Sequence, residues 1–294
     1  FIPGRGVTSL GLAVDGNQVD ACESMGGIEG QYPRAVGAPL PVCRYSYIPF
    51  VNLIEEEDRY QLYGQLLVDL SDTVRFTAEA LYSHTELKDL GYSPSNPITQ
   101  GPNGPGSVSA FTVPASNPGY AAFLEQTFAP GTPPRLFTPI LSSIVLFRPL
   151  ALGGNPLNSG GSGYGQAVND AWRVSAGFDI DLTDNLTLQT FGTYIRSSRL
   201  AFSNDIVSDR LQRALNGFGG ENCTGTTPGA HGCLYFNPFI NASPGNPALG
   251  LENPAYVPGN ENSVAVLEYL TERSGTQATE EQYIFDAVFS GDMT

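Results

Sequence analysis

The chain has 294 residues, with 29 acidic against 14 basic side chains and a formal net charge of −15. Such a charge repels phosphate backbones and leaves no basic stripe, which excludes nucleic acid as a partner. Only 15% of the residues are charged, whereas glycine (34) and proline (23) are abundant, a composition that indicates strands, turns and long loops.

The first predicted elements are two alternating segments joined by a tight turn. Tyr60–Leu70 and Val74–Thr85 place mostly apolar residues on one parity and mostly polar residues on the other, which predicts two strands. Ser71-Asp72-Thr73 joins them. The polar parity of the second strand carries charge, at Arg75 and Glu79.

A second pair follows the same plan. Trp172–Leu182 has the cleanest alternation of the chain, and the turn Thr183-Asp184-Asn185 leads to a weaker strand from Leu186 to Tyr194. Gln282–Ser290 is a fifth alternating segment. Each segment has about the 9 to 11 residues that a tilted strand needs to cross a bilayer. The charged residues on the polar parity of the third segment are Arg173, Asp179 and Asp181.

The connections between these pairs are long. Ser83–Ala171 and Ser197–Glu281 far exceed the median connection of about 4 to 6 residues in compact domains. Helices are predicted within the second connection, over Asp205–Leu215 and Ser263–Thr271. Asp69-Leu70-Ser71-Asp72 also recurs as Asp181-Leu182-Thr183-Asp184, so the repeated unit is strand, turn, strand and long loop.

Short turns at one end and long loops at the other are typical of outer-membrane barrels. No run approaches the roughly 18 apolar residues of a spanning helix, so a membrane role would have to rest on strands. Aromatic residues near strand ends fit an interfacial girdle: Tyr60, Tyr82, Trp172, Tyr194 and Tyr283. The predicted fold is therefore part of a transmembrane antiparallel β-barrel. A secreted β-sandwich gives the same alternation and remains the alternative.

The four cysteines form two local pairs in segments rich in glycine, proline and small residues, Cys22 with Cys43 and Cys223 with Cys233. This arrangement predicts two disulfides that stiffen loops in an oxidising compartment. Zinc is the competing interpretation, but neither the spacing nor the two scattered histidines matches a usual ligand set.

Catalytic motifs are nearly absent, so we expect no enzyme activity and no cofactor. His84 lies on the apolar parity near a predicted rim, which favours a girdle residue, and His231 lies in the Cys223–Cys233 loop, which favours a solvated residue over a metal ligand. The acidic run Glu55–Asp58 could hold a hard cation, but a solvated segment is the ordinary explanation. A hydrolase using loop carboxylates, and an adhesive secreted protein, are the rival functions.

Several stretches in combination resemble the TonB-dependent receptors of the outer membrane, in particular the large alphaproteobacterial ones. The resemblance extends from about Cys43 to the end of the chain. The matching stretches are Cys43-Arg44-Tyr45, Glu55–Tyr60, Phe76–Ser83, Val113–Pro118, Phe147-Arg148-Pro149-Leu150, Tyr235–Phe239 and Tyr283–Asp286.

The resemblance implies a barrel of about 22 strands with a plugged lumen. Five strands cannot close, since bacterial barrels begin at about eight, so the chain is expected to be an internal piece of a larger receptor. The implied partners are outer-membrane lipid, a plug domain and TonB reached through the rest of the chain, and an extracellular ligand of unknown chemistry captured by loops at the cell surface. Possible lumen-facing residues are Arg75, Glu79, Arg173, Asp179 and Asp181.

The expected organisation divides residues 1–294 into alternating loops and strands of one partial barrel. Loops exposed at the cell surface are expected at 1–58, 88–170 and 201–280. Strand hairpins are expected at 59–87 and 171–200, and a further strand at 281–294.

Overall fold

The computed structural model describes residues 24, 26–32, 40–44, 46–88, 90, 101–104, 106–107, 110–127, 140–144, 154–159, 161, 163 and 165–291. The chain divides into two compact units. The sheet unit comprises 53–90, 165–203 and 274–294, and the connector unit comprises 1–52, 91–164 and 204–273.

The described elements are eleven strands, three α-helices and several short 3-10 helices. The strands are β1 (Ile28–Tyr32), β2 (Leu40–Arg44), β3 (Glu57–Ser71), β4 (Val74–Leu87), β5 (Ala110–Pro114), β6 (Ile140–Ile144), β7 (Gly165–Thr183), β8 (Leu186–Ile206), β9 (Gly245–Asn246), β10 (Leu251–Glu252) and β11 (Thr271–Gly291). The helices are α1 (Pro118–Thr127), α2 (Ser208–Leu215) and α3 (Val264–Leu270).

The sheet unit is a five-stranded sheet in the order β11-β8-β7-β4-β3, antiparallel in the three strand pairs from β3 to β8. All five predicted strands are confirmed, as are the two tight turns between β3 and β4 and between β7 and β8. The protein is thus mostly antiparallel β-sheet with few helices. Among the described residues the sheet has two open edges, β3 and β11.

All five strands are longer than the alternation predicted, three of them by at least seven residues. β7 begins at Gly165 and β8 continues to Ile206, which takes Asp205 and Ile206 out of the predicted helix and leaves α2 to begin at Ser208. β11 begins at Thr271, eleven residues before the predicted start at Gln282. The added part of β11, residues 271–281, is almost wholly polar or small, so it carries no apolar period to detect.

The connector unit has its own hydrophobic core, built mainly from α2, α3 and β5. Both helices begin after a residue in extended conformation, and Ser263 caps α3 by accepting a hydrogen bond from the Val266 amide at 3.3 Å. The buried residues are Phe111, Val113, Leu211, Ala214, Leu215, Phe236, Val266, Leu267, Tyr269 and Leu270. The long connections therefore contain a folded unit and are not simply extended loops.

A buried asparagine joins two stretches that are far apart in the sequence. Asn117 is 1% exposed, and its amide donates to the carbonyls of Leu215 at 3.2 Å and Phe236 at 2.8 Å. Its own side-chain oxygen accepts from the Gly119 amide at 3.2 Å. Each buried polar atom of this side chain thus has a partner, as burial requires.

Candidate functional site

The register of the sheet separates one apolar face from one polar face. Phe76 lies opposite Phe178 and Tyr82 lies opposite Trp172, with ring centroids 5.3 Å and 4.3 Å apart. Because side chains alternate along a strand, the apolar face holds the even-numbered residues of β3, β4, β7 and β8. It also holds the odd-numbered residues of β11, since the Tyr283 ring lies 5.1 Å from that of Tyr194.

Large hydrophobic side chains on the apolar face are strongly exposed. Leu62 is 69% exposed, Phe285 78% and Phe289 64%, and Val174 in a central strand is still 48% exposed. Single exposed apolar residues are ordinary, but a continuous apolar face marks an interaction surface. The described structure therefore presents an extended surface suited to an apolar environment.

An aromatic row crosses the apolar face. On β3 and β4 it lies near the strand ends away from the tight turns, as predicted, but β7, β8 and β11 extend well beyond it, so Trp172, Tyr194 and Tyr283 lie inside their strands and not near the ends. Its members are Tyr60, Tyr82, Trp172, Tyr194 and Tyr283. Tyr82 packs on Trp172 and Tyr194 packs on Tyr283. Four of the five members thus form two ring pairs, each between neighbouring strands.

The aromatic row runs obliquely across the strands. In the register, Tyr60 lies two residues farther from the turns than Tyr82, and Trp172 is directly opposite Tyr82. Tyr194 lies two residues nearer to the turns than Trp172. From β3 to β8 the row shifts by four residues, or about 14 Å, along the strand direction. The three strand spacings between them also add to about 14 Å, so a line through the row makes an angle of about 43° with the perpendicular to the strands.

The apolar band between the row and the turns has a defined height. Trp172 to Leu182 spans about 34 Å along β7 at the antiparallel rise per residue. Measured perpendicular to the oblique row, this length corresponds to about 25 Å on β7, and the shorter stretch from Tyr194 to Leu186 corresponds to about 20 Å on β8, against about 25 Å for the apolar band of outer-membrane barrels. Strands in those barrels are tilted by about 35 to 45°, which includes the angle of the row.

Polar groups begin directly beyond the aromatic row on the same face. His84 Nδ1 lies 2.8 Å from Asp170 Oδ1, and the Tyr82 hydroxyl donates to the same oxygen at 3.0 Å. His84 also lies beside Tyr60, with ring centroids 6.0 Å apart. The structure thus gives His84 an acidic partner that the sequence did not indicate, since Asp170 lies on a different hairpin.

The polar face brings together the five predicted lumen-facing residues. Parity places them all on this face, and the register sets Arg75 opposite Asp179 and Glu79 opposite Ser175. Arg75 Nε donates a hydrogen bond to Asp69 Oδ1 at 2.7 Å. Further contacts are Gln65 Nε2 to Glu79 Oε1 at 3.2 Å, Thr187 Oγ1 to Asp181 Oδ1 at 3.0 Å and Ser175 Oγ to Thr193 Oγ1 at 3.0 Å. Charged side chains here therefore form a mixed polar surface, whose exposure to a lumen remains a prediction.

Cys223 and Cys233 form a disulfide across a separation of 10 residues, with their Cα atoms 4.1 Å apart. His231 lies inside this loop with φ of 53°, and its carbonyl accepts a hydrogen bond from the Thr224 amide at 3.3 Å. Cys22 lies outside the described residues, so its predicted bond to Cys43 stays a prediction. The described part of the chain holds no group of three or more His, Cys, Asp or Glu side chains arranged for a metal ion.

The acidic run at the start of β3 is partly neutralised by basic side chains. Asp58 pairs with Lys88, and Glu57 lies 3.7 Å from Arg59. The hydrogen bond and charge of Asp58 raise the pKa of Lys88 above its ordinary value. In the connector unit, burial raises the pKa of Tyr120.

No family model, curated protein or solved structure matches the chain. Among the described residues, none of the helices is both long and apolar enough to cross a bilayer.

Proposed function

We propose that this chain is a segment of an outer-membrane receptor of the TonB-dependent type, in which the sheet unit forms part of the barrel wall. The connector unit takes part in capture of an extracellular ligand for uptake. Lipid contacts the apolar face, and the polar face lines the lumen together with a plug supplied elsewhere in the protein. The two open sheet edges, β3 and β11, pair with further strands in this proposal.

The oblique aromatic row carries the proposal. A membrane boundary is a plane, so tilted strands must cross it at positions that shift steadily from strand to strand. The row shifts in one direction by four residues from Tyr60 to Tyr194, with no shift between Tyr82 and Trp172, and its mean angle agrees with barrel strand tilts. The core of a β-sandwich needs apolar residues on one face but does not need aromatic rings along a line at this angle.

The connector unit supports the capture role in a more limited way. Its core and its disulfide give it a fixed shape, which lowers the entropy cost of binding a ligand. Loops positioned by a rigid scaffold are where binding residues concentrate.

Trp172 offers a direct test because it is the only tryptophan in the sequence. The full protein would be reconstituted into vesicles whose lipids carry bromine at different depths, and Trp172→Phe would supply the background for subtraction. We expect the difference spectrum to be quenched most strongly by bromine near the headgroups, since the row lies at the interface. Absence of quenching at every depth would overturn the membrane assignment and favour a secreted β-sandwich.

A second measurement separates a receptor from other membrane barrels. Cells lacking this protein and cells lacking TonB should share a defect in uptake of the same nutrient, because energy for import comes through TonB in the proposed class. A defect that appears only in the cells lacking this protein would refute TonB-coupled uptake while leaving the barrel wall intact.

A further inference from the structure

We draw no further inference here: the strongest candidate, the cluster of Asp69, Asp179 and Asp181 around Arg75 near the tight turns on the polar face of the sheet, belongs to the lumen wall already proposed, and nothing among the described residues shows what it binds.

Discussion

An arginine placed in the middle of the apolar band should reveal what surrounds that face. Ala176 lies one residue from the midpoint of Trp172–Leu182, and its cross-strand neighbours are Ala78 and Gly192. Small neighbours leave room for a long side chain, so the cost of Ala176→Arg is one of polarity and not of crowding. We expect a loss of about 2 to 4 kcal/mol of unfolding free energy, the cost of arginine at a bilayer midplane.

Two variants serve as controls, one at another depth on the apolar face and one on the polar face of the sheet. Leu182→Arg lies at the turn end of the band, where the same charge should cost about 0 to 1 kcal/mol. Gln189→Arg lies on the polar face opposite Asp179, whose buried Oδ1 has no hydrogen-bond partner among the described residues, so it should leave the stability unchanged or raise it. Urea unfolding of the full protein in lipid vesicles, followed by tryptophan fluorescence, measures all three.

The order of the three costs decides the interpretation. If Ala176→Arg costs no more than Gln189→Arg, the apolar face meets water and the reasoning fails. If Ala176→Arg and Leu182→Arg cost the same amount, the face meets a uniform protein core and not a bilayer whose polarity changes with depth.

Three further predictions concern the remaining contacts. Leu211→Ala should lower the unfolding free energy of the connector unit by about 2 to 5 kcal/mol, since Leu211 is fully buried, and a shift in its thermal unfolding tests this. Replacing Cys223 and Cys233 by serine should cost about 2.7 kcal/mol by loop entropy, as measured by urea unfolding with and without reductant. Because Asp58 raises the pKa of Lys88, the stabilisation from this pair is complete at neutral pH and is lost as pH rises through the raised value, so Lys88→Met should abolish that part of the alkaline destabilisation.

The strands could be predicted because each one has an apolar face and a polar face. Where both faces are polar, as in residues 271–281, the period vanishes and the strand start was placed too late. Helix α3 was predicted within one residue at each end, because Ser263 is a strong cap before an apolar run. Helix α1 was missed, although Asn117-Pro118 is a start signal.

The groupings of side chains were harder to predict than the elements. Alternation assigned Arg75 and Asp179 to the polar parity, but only the register shows that they lie opposite each other. The contacts of His84 with Asp170 and of Tyr194 with Glu281 join strands that are not neighbours in the sequence, so neither carboxylate had a local signal of its partner. Pairs between hairpins depend on the order of the hairpins in the sheet, and the alternation within each strand does not indicate that order.

The internal repeat connects the turns with the aromatic row. The turn sequences recur at an offset of 112 residues, 181 minus 69, and Tyr82 recurs as Tyr194 at the same offset, 194 minus 82. Each tyrosine therefore lies the same number of residues beyond its turn. Packing in a sandwich core would tolerate unequal spacing, since any apolar side chain of suitable volume can fill it. A bilayer of fixed thickness requires equal spacing, because every hairpin must traverse the same apolar depth between its turn and its interfacial ring.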